Sequence, residues 1–209
     1  MNILMIGPQG AGKGTQAEIL SKRLGLPSYS PGQIYREEIA KGTPLGKSVE
    51  KILANGMLAP EESTNELMRK RAESKEVAHG YIFDGYPRNH AQFHPYMAFS
   101  YPTHVILLEL SDEEAIKRLS SRVVCEKCGA TYHMLSKPPK AAGVCDACGG
   151  KLAPRQDDTP EAIKKRLDIY HNETEPIVEE LDEMGVLIRI NGDQGIERVA
   201  RDIQERLGK

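Results

Sequence analysis

A glycine-rich segment near the N-terminus carries residue types suited to phosphate binding. Residues 7–16, GPQGAGKGTQ, contain four glycines, a lysine and a threonine directly after the apolar residues 3–6. Such loops bind phosphate because backbone N–H groups without side-chain bulk can point inward at its oxygens. The pattern G-x-x-x-x-G-K is complete from residue 7 to residue 13, and one further glycine precedes Thr15. The segment therefore predicts a phosphate site at the end of a strand.

Four cysteines form two pairs with the spacing of a metal site. Two residues separate Cys125 from Cys128 and Cys145 from Cys148, and sixteen residues lie between the pairs. This spacing is typical of four thiolates that hold zinc tetrahedrally. Four protein ligands leave no open position, so the metal would be structural. Two disulfides, or reduced cysteines that only pack, are the alternatives, and iron in place of zinc also remains open.

A carboxylate follows a second apolar run. Residues 81–83 are Tyr-Ile-Phe, and Asp84 comes next. Proteins with a phosphate loop commonly place an acid at the end of a strand, near the Mg2+ that bridges nucleotide phosphates. Asp84 is therefore a candidate for holding Mg2+.

The elements that must position these residues alternate between strand and helix. Strands are predicted at residues 3–6, 81–83, 103–110 and 185–190. Helices are predicted at residues 13–24, 112–122 and 159–184, the last interrupted near Pro176. Continuous apolar strands between helices favour a doubly wound α/β fold with about five parallel strands. Ligands of such folds bind at the carboxyl ends of the strands, where the glycine-rich loop begins.

Two stretches do not follow this alternation and are predicted to be insertions. Residues 30–59 have the pattern of short helices separated by turn residues. Residues 122–158 contain the cysteines, are rich in Gly, Pro and Lys, and show no helical period. The core would then consist of residues 1–29, 60–121 and 159–209.

Composition limits the class of protein. The chain has 209 residues, 39% of them hydrophobic, and 28 basic side chains against 30 acidic ones. This near balance does not favour nucleic acid or a membrane surface as the main partner. No apolar run approaches the length of a membrane span or of a secretory leader. We therefore expect a cytoplasmic protein.

Three motifs in this order resemble those of the adenylate kinase family, nucleoside monophosphate kinases that exchange a phosphoryl group between ATP and AMP. They are GPQGAGKGTQ at residues 7–16, DGYPRNHAQ at residues 84–92, and the four-cysteine segment, which resembles the zinc-bearing lid of many bacterial members. The resemblance extends over essentially the whole chain. It implies reversible Mg2+-dependent transfer from ATP to AMP in adenine nucleotide homeostasis and salvage, by a monomer. It also implies that residues 30–59 cover the monophosphate and that residues 122–158 cover ATP.

The resemblance assigns roles to residues that match the family motifs. A catalytic role is implied for Lys13, Asp84, Arg88, Arg122, Arg155 and Arg166. ATP binding is implied for Gly10, Ala11, Gly12, Lys13, Gly14, Thr15, Arg118, Arg122, Tyr132 and His133. AMP binding is implied for Pro31, Arg36, Met57, Ala59, Gly85, Arg88, Gln92, Arg155 and Arg166.

Within these sets, Lys13 would reach the β and γ phosphates of ATP. Arg36 and Arg88 would clamp the AMP phosphate, and Gln92 would contact the adenine edge. Arg118 would stack on the ATP base. Asp157 and Asp158 match the acids at the hinge of the family's lid.

Several positions depart from the family pattern. Pro31 and Gln33 replace a hydroxyl residue and an acid, so base selectivity is open and a UMP/CMP-type kinase is the first alternative. Ser121 replaces a common glycine at the lid hinge, which suggests a stiffer hinge. The apolar pattern also places Met57 and Met68 in the core.

Two further alternatives belong to other classes. One is a zinc-ribbon nucleic-acid binder with an ATPase core. The cysteine segment has a small basic excess, but Tyr132 is its one aromatic residue, and single-strand binders need several. The other is a switch GTPase, which would carry an N-K-x-D motif, and the sequence contains none.

Overall fold

The computed structural model describes residues 1–134 and 136–208. Strands in these ranges are β1 (Asn2–Ile6), β2 (Ser28–Tyr29), β3 (Tyr81–Asp84), β4 (His104–Glu109), β5 (Arg122–Cys125), β6 (Thr131–His133), β7 (Leu152–Pro154) and β8 (Leu187–Asn191). Helices are α1 (Lys13–Leu24), α2 (Pro31–Ala40), α3 (Pro44–Ala54), α4 (Glu61–Ala72), α5 (His90–Phe99), α6 (Asp112–Ser120), α7 (Pro160–Ile169), α8 (Glu175–Glu183) and α9 (Ile196–Arg206). A 3-10 turn lies at Lys75–Val77, and a π-helical turn, Tyr170–Thr174, joins α7 to α8.

Five parallel strands form the central sheet in the order β2-β3-β1-β4-β8. The side chains of β1 alternate between two cores. Leu4 and Ile6 pack with α4, α5 and α8, whereas Ile3 and Met5 pack with α1 and α9. A strand buried on both faces must be apolar at every position, which explains the run at residues 3–6. The predicted doubly wound α/β fold with about five parallel strands is confirmed.

The order of the strands determines where a ligand can bind. From β1 the chain moves to one side for β2 and β3, and then to the other side for β4 and β8. The carboxyl end of β1 therefore lies where the strand order reverses, the usual ligand crevice of such sheets. The glycine-rich loop starts there, and α1 follows at Lys13–Leu24, as predicted.

One predicted helix is wrong at its end. The sequence pattern predicts it over residues 112–122, but α6 ends at Ser120 and Arg122 begins β5. The Ser121 hydroxyl donates to the carbonyl of Lys117 at 3.1 Å and closes the helix. Strand β5 pairs antiparallel with β6 and β7. β6 follows β5 after a short loop, β7 is distant in sequence, and helical periodicity does not reveal either pairing.

The predicted helix over residues 159–184 is interrupted, but earlier than expected. The break is the π-helical turn at Tyr170–Thr174, and Pro176 lies in the first turn of α8. Proline is tolerated there because the N–H groups of a first turn have no partner within the helix.

The two irregular stretches have different structures. Residues 30–59 contain α2 and α3, which approach closely at Gly46: a Cβ there would lie 2.3 Å from the Glu38 carbonyl oxygen. Residues 122–158 contain the antiparallel sheet β6-β5-β7. The sequence pattern did not predict this sheet, nor β2, α4, α5 and α9.

The prediction that Met57 is buried is wrong. Its side chain is 43% exposed, whereas Met68 is completely buried. Met57 directly follows the turn at Gly56, where φ is +74°, and this turn leads the chain out of α3.

None of the described helices combines the length and the apolarity needed to cross a bilayer.

Gly7 determines how closely the glycine-rich loop can approach the sheet. Its φ is +141°, and a Cβ there would lie 2.3 Å from the backbone oxygen of Leu108 in β4. We expect Gly7→Ala to reduce the free energy of unfolding by ~2 kcal/mol, because neither the backbone angle nor β4 can adapt without strain. Urea unfolding measures this change.

The control is Gly195→Ser, since a Cβ at Gly195 has no heavy atom within 4 Å and serine suits its position at the N-cap of α9. Equal unfolding midpoints for the two variants would contradict the steric explanation.

Candidate active site

The glycine-rich loop connects β1 to the start of α1. Gly10 and Gly12 adopt φ angles of +90° and +91°, which let the loop curl beneath the first turn of the helix. The first N–H groups of a helix have no internal partner, and the helix dipole is positive at that end. Together these features favour an anion in the concavity of the loop.

The Lys13 ammonium lies over this loop. Its Nζ donates to the carbonyl oxygens of Gly7 and Pro8, both at 2.7 Å. Burial lowers the pKa of Lys13 to about 7, the carboxylate of Asp84 opposes this change, and the positive charge of Arg88 adds to it. An anion beside the ammonium would relieve both the lost hydration and the repulsion.

Asp84 ends β3 beside the first turn of α1. A Cβ on Gly14 would lie 3.2 Å from Asp84 Oδ2, so the carboxylate faces the phosphate loop. Carboxylate oxygens are ligands that Mg2+ prefers, most often with its water shell retained. The position of Asp84 thus fits a magnesium ion shared with phosphates on the loop.

Two hydrogen bonds within its own turn fix the position of Arg88. Its Nε donates to the Gly85 carbonyl at 2.7 Å, and its backbone N–H donates to Oε1 of Gln92 at 2.9 Å. Gly85 has φ +68°, and a Cβ there would lie 2.8 Å from the guanidinium. Burial, followed by the charges of neighbouring arginines, lowers the pKa of Arg88. The guanidinium is therefore held rigidly and lacks full charge compensation.

Two adjacent acids organise the arginines contributed by the cysteine segment and by α7. Asp158 accepts two hydrogen bonds from Arg122, at 2.7 and 2.6 Å, and one from Arg166 at 2.6 Å. Asp157 accepts from Arg166 at 3.1 Å and pairs with Arg155. Burial alone would raise the pKa of Asp157, but the bonds and charges of Arg155 and Arg166 hold it well below its usual range.

One donor in this cluster has no acceptor. Arg166 is only 6% exposed, and its Nε has no hydrogen-bond partner within the described part of the chain. A buried unpaired donor costs free energy, so a site that leaves one open is suited to an incoming acceptor such as phosphate oxygen.

Arg36 reaches the same cleft from α2. Burial and the charges of Arg155, Arg122 and Arg88 together lower its pKa to about 9, although the carboxylate of Asp157 opposes this change. Six cationic side chains thus share one region with three carboxylates. The cations are Lys13, Arg36, Arg88, Arg122, Arg155 and Arg166, and the carboxylates are Asp84, Asp157 and Asp158. This excess of positive charge favours an anionic ligand.

The proposed ATP-base region lies beside α6. Arg118 donates to the Gly192 carbonyl at 2.9 Å and to Asp193 at 3.2 Å. A Cβ on Gly192 would lie 3.4 Å from the Ala11 carbonyl, so the loop after β8 touches the phosphate loop. The sequence did not predict a role for this loop, because a single glycine after a strand has no distinctive spacing.

The structure separates two neighbouring residues to which the resemblance assigned ATP contacts. His133 lies near the hinge, with Nε2 3.0 Å from the Ser121 hydroxyl, and burial lowers its pKa. Tyr132 faces the other way: its side chain is buried with the cysteines, and its hydroxyl accepts from the N–H of Asp146 at 2.8 Å. We therefore correct the assignment of the Tyr132 side chain to ATP. Strand alternation puts it on the inner face of the small sheet.

The residues assigned to AMP differ in burial. Pro31 and Ala59 are buried, and Gln92 is only 2% exposed. Met57 is exposed at the edge of this region.

The four cysteine Sγ atoms lie within 4.8 Å of one another. None forms a disulfide, and two Sγ–Sγ distances are 3.5 and 3.6 Å. Tetrahedral zinc with Zn–S bonds of about 2.3 Å requires Sγ atoms about 3.8 Å apart, so the group fits this metal.

The surroundings of Cys145 suit a thiolate, whereas contacts with Cys148 and the other sulfurs raise the pKa of Cys128. The hydrogen bond from the Tyr132 hydroxyl lowers the pKa of Cys145 to about 6. Gly150 leaves space around the sulfurs, because a Cβ there would lie 2.8 Å from Cys125 Sγ. Both features favour metal-bound sulfur over packed thiols.

Comparisons with known proteins agree with this geometry. The family model described as adenylate kinase matches residues 5–186. The adenylate kinase of Thermoanaerobacter sp. is 38% identical over 213 residues, which cover 100% of this chain and 98% of that protein. That of Caldanaerobacter subterraneus subsp. tengcongensis is 39% identical over 212 residues, with coverages of 99% and 96%. That of Clostridioides difficile is 38% identical over 213 residues, with coverages of 100% and 99%. The phosphate loop, the arginine cleft and these relatives together show that the chain belongs to the adenylate kinase family.

Proposed function

We propose that the protein transfers the γ-phosphoryl group of ATP to AMP, reversibly and with Mg2+, to give two molecules of ADP. The proposal depends mainly on one observation. Lys13 of the phosphate loop and Arg88 of the Gly85 turn line the same small cavity, which supports a second phosphate-binding site opposite the loop. A simple ATPase has no use for the second site.

The chemistry assigned to these residues is positioning and charge stabilisation. The attacking oxygen belongs to the monophosphate, so the protein needs no nucleophile of its own. Lys13 and the loop N–H groups would hold the phosphates of ATP, and Arg88 with Arg36 would orient the acceptor phosphate. Arg122, Arg155 and Arg166 would stabilise charge that spreads over the transferring oxygens. Mg2+, when bound near Asp84, supplies further neutralisation of phosphate charge.

Exclusion of water is the role we propose for the two insertions. Water in the cleft would hydrolyse ATP, and segments that close over bound nucleotides prevent this. Residues 30–59 contribute Arg36, and residues 122–158 contribute Arg122 and Arg155. Closure of the two segments would therefore complete the cationic site and also exclude water from it. Moving segments tolerate few fixed neighbours, which supports a monomer.

The alternatives have less support. Tyr132 is buried in its sheet, so it cannot stack on a nucleic-acid base. Gln92 supports adenine as the acceptor base, although its Oε1 is already bonded to Arg88. Another monophosphate as acceptor is therefore an outcome of the first test.

The first test is a coupled assay of the purified protein with Mg-ATP and each of AMP, CMP, UMP and GMP. We expect diphosphate formation with AMP at a rate well above that with the other three. Preference for another monophosphate would refute AMP as the acceptor. ATP hydrolysis without transfer would refute the kinase proposal itself.

A second test uses the lowered pKa of Lys13. At pH 8 most of the unliganded protein carries neutral Lys13, because its pKa is about 7. Bound triphosphate favours the ammonium and raises this pKa, so ATP binding should take up a proton. ATP affinity should then fall as pH rises above 7, by at most about tenfold per pH unit. Calorimetry at pH 8 in two buffers of different ionisation enthalpy measures the uptake.

Lys13→Met should bind ATP more weakly and without this proton uptake. Identical apparent enthalpies for the unmodified protein in the two buffers would rule out the linkage.

A third test concerns the metal. The small sheet of residues 122–158 has little core of its own, so bound zinc would supply much of its folding energy. We expect chelation to lower the melting temperature and to loosen this segment before the central sheet unfolds. Elemental analysis identifies the bound metal, and calorimetry compares metal-free with zinc-reconstituted protein. A metal-free sample with an unchanged melting temperature would contradict a structural role.

A further inference from the structure

The π-helical turn between α7 and α8 contacts the Arg88 turn directly. Its last residue, Thr174, is 4% exposed, and its hydroxyl donates to the backbone carbonyl of Arg88 at 2.7 Å. The preceding residue, Glu173, accepts a hydrogen bond from the Asn89 side chain at 3.2 Å. Two consecutive residues of the turn thus hold Arg88, which belongs to the proposed AMP-phosphate site, and its neighbour Asn89.

These contacts complete the restraints on Arg88. Its N–H is bonded to Gln92, and its Nε is bonded to Gly85. The carbonyl is the remaining backbone group, and Thr174 fixes it. Asn89 in turn caps α5, because its Oδ1 accepts from the N–H of Gln92 at 3.0 Å. The direction of the guanidinium therefore depends on a rigid peptide frame that Thr174 closes.

The π-helical turn explains how the continuous segment formed by α7 and α8 can hold the Arg88 turn. One extra residue in a helical turn rotates everything that follows by about 100°. Arg166 lies before the turn and joins the phosphate cluster, while Ile177 and Leu181 lie after it and are completely buried in the core. Within the turn, Tyr170 and Thr174 line the same cavity as Lys13. The turn therefore lets one helical segment contact the arginine–aspartate cluster, the Arg88 turn and the core.

We infer that Thr174 is a positioning residue for Arg88 and thereby tunes binding of the monophosphate rather than of ATP. The inference rests on the proposed function, in which Arg88 holds the acceptor phosphate. Thr174 itself need not touch either nucleotide. Loss of its hydroxyl leaves the Arg88 carbonyl without a buried donor and frees the peptide to rotate.

The test is Thr174→Val, which keeps the shape of the side chain and removes the hydroxyl. We expect KM for AMP to rise about tenfold, because a lost buried hydrogen bond has this order of effect. KM for ATP should change less than twofold. Thr174→Ser should restore AMP binding. The control is Ser21→Ala, which removes a hydroxyl-to-carbonyl bond of 2.6 Å to Leu26 and should leave both KM values unchanged.

A double-mutant cycle separates positioning from packing. Calorimetric Kd values for AMP are measured for the unmodified protein, Thr174→Val, Arg88→Met and the double variant. If Thr174 acts through Arg88, adding Thr174→Val to Arg88→Met should change Kd by less than twofold. Additive losses, or equal rises in KM for AMP and ATP, would overturn the inference.

Failure of the proposed function has a different signature. It would appear as absent transfer to AMP by the unmodified protein, whatever the variants do. In that case the same cycle with inorganic phosphate as the probe still tests whether Thr174 acts through Arg88. An unchanged phosphate Kd in Thr174→Val would refute the positioning role.

Discussion

Repulsion among like charges in a confined cleft is the constraint on which this structure depends. Lys13 and Arg36 have lowered pKa values because burial and neighbouring cations both disfavour their charged forms. Such a cluster persists only if carboxylates offset it in the empty protein and another anion offsets it in the loaded one. Asp157 and Asp158 supply the first compensation. The phosphates of two nucleotides would supply the second.

The rest of the fold brings these charges together from distant parts of the chain. Parallel strands place Gly7 and Asp84 at one edge of the sheet, where the strand order reverses. The cysteine segment contributes Arg122 and Arg155, and its own core is small. A metal at the cysteines would therefore stabilise the segment that carries part of the cationic site. The stability of this segment would then be linked to the positions of Arg122 and Arg155.

Local features of the sequence predicted a large part of this arrangement. The apolar run before Gly7, the helix from Lys13 and the paired cysteines all depend on short-range spacing, and the structure agrees with each. The family resemblance identified arginines that periodicity alone could not distinguish from surface residues.

The errors and omissions arise where long-range packing decides. Arg122 leaves its predicted helix because β5 pairs with the neighbouring strand β6 and with β7, which is distant in sequence. The Tyr132 side chain faces inward because it lies on the side of that sheet that the cysteines occupy. The contacts of Thr174 depend on one extra residue in a helical turn, and a period of 3.6 conceals such an insertion.

The most direct test of the account compares melting temperatures of the unmodified protein and the double variant Asp157→Asn/Asp158→Asn. Each is measured alone, and then with saturating AMP, Mg2+ and a non-hydrolysable ATP analogue. If hinge carboxylates and nucleotide phosphates neutralise the same cations, the variant should melt well below the unmodified protein when empty. Bound nucleotides should largely remove that difference. A variant as stable as the unmodified protein when empty, or a deficit that nucleotides leave unchanged, would contradict the account.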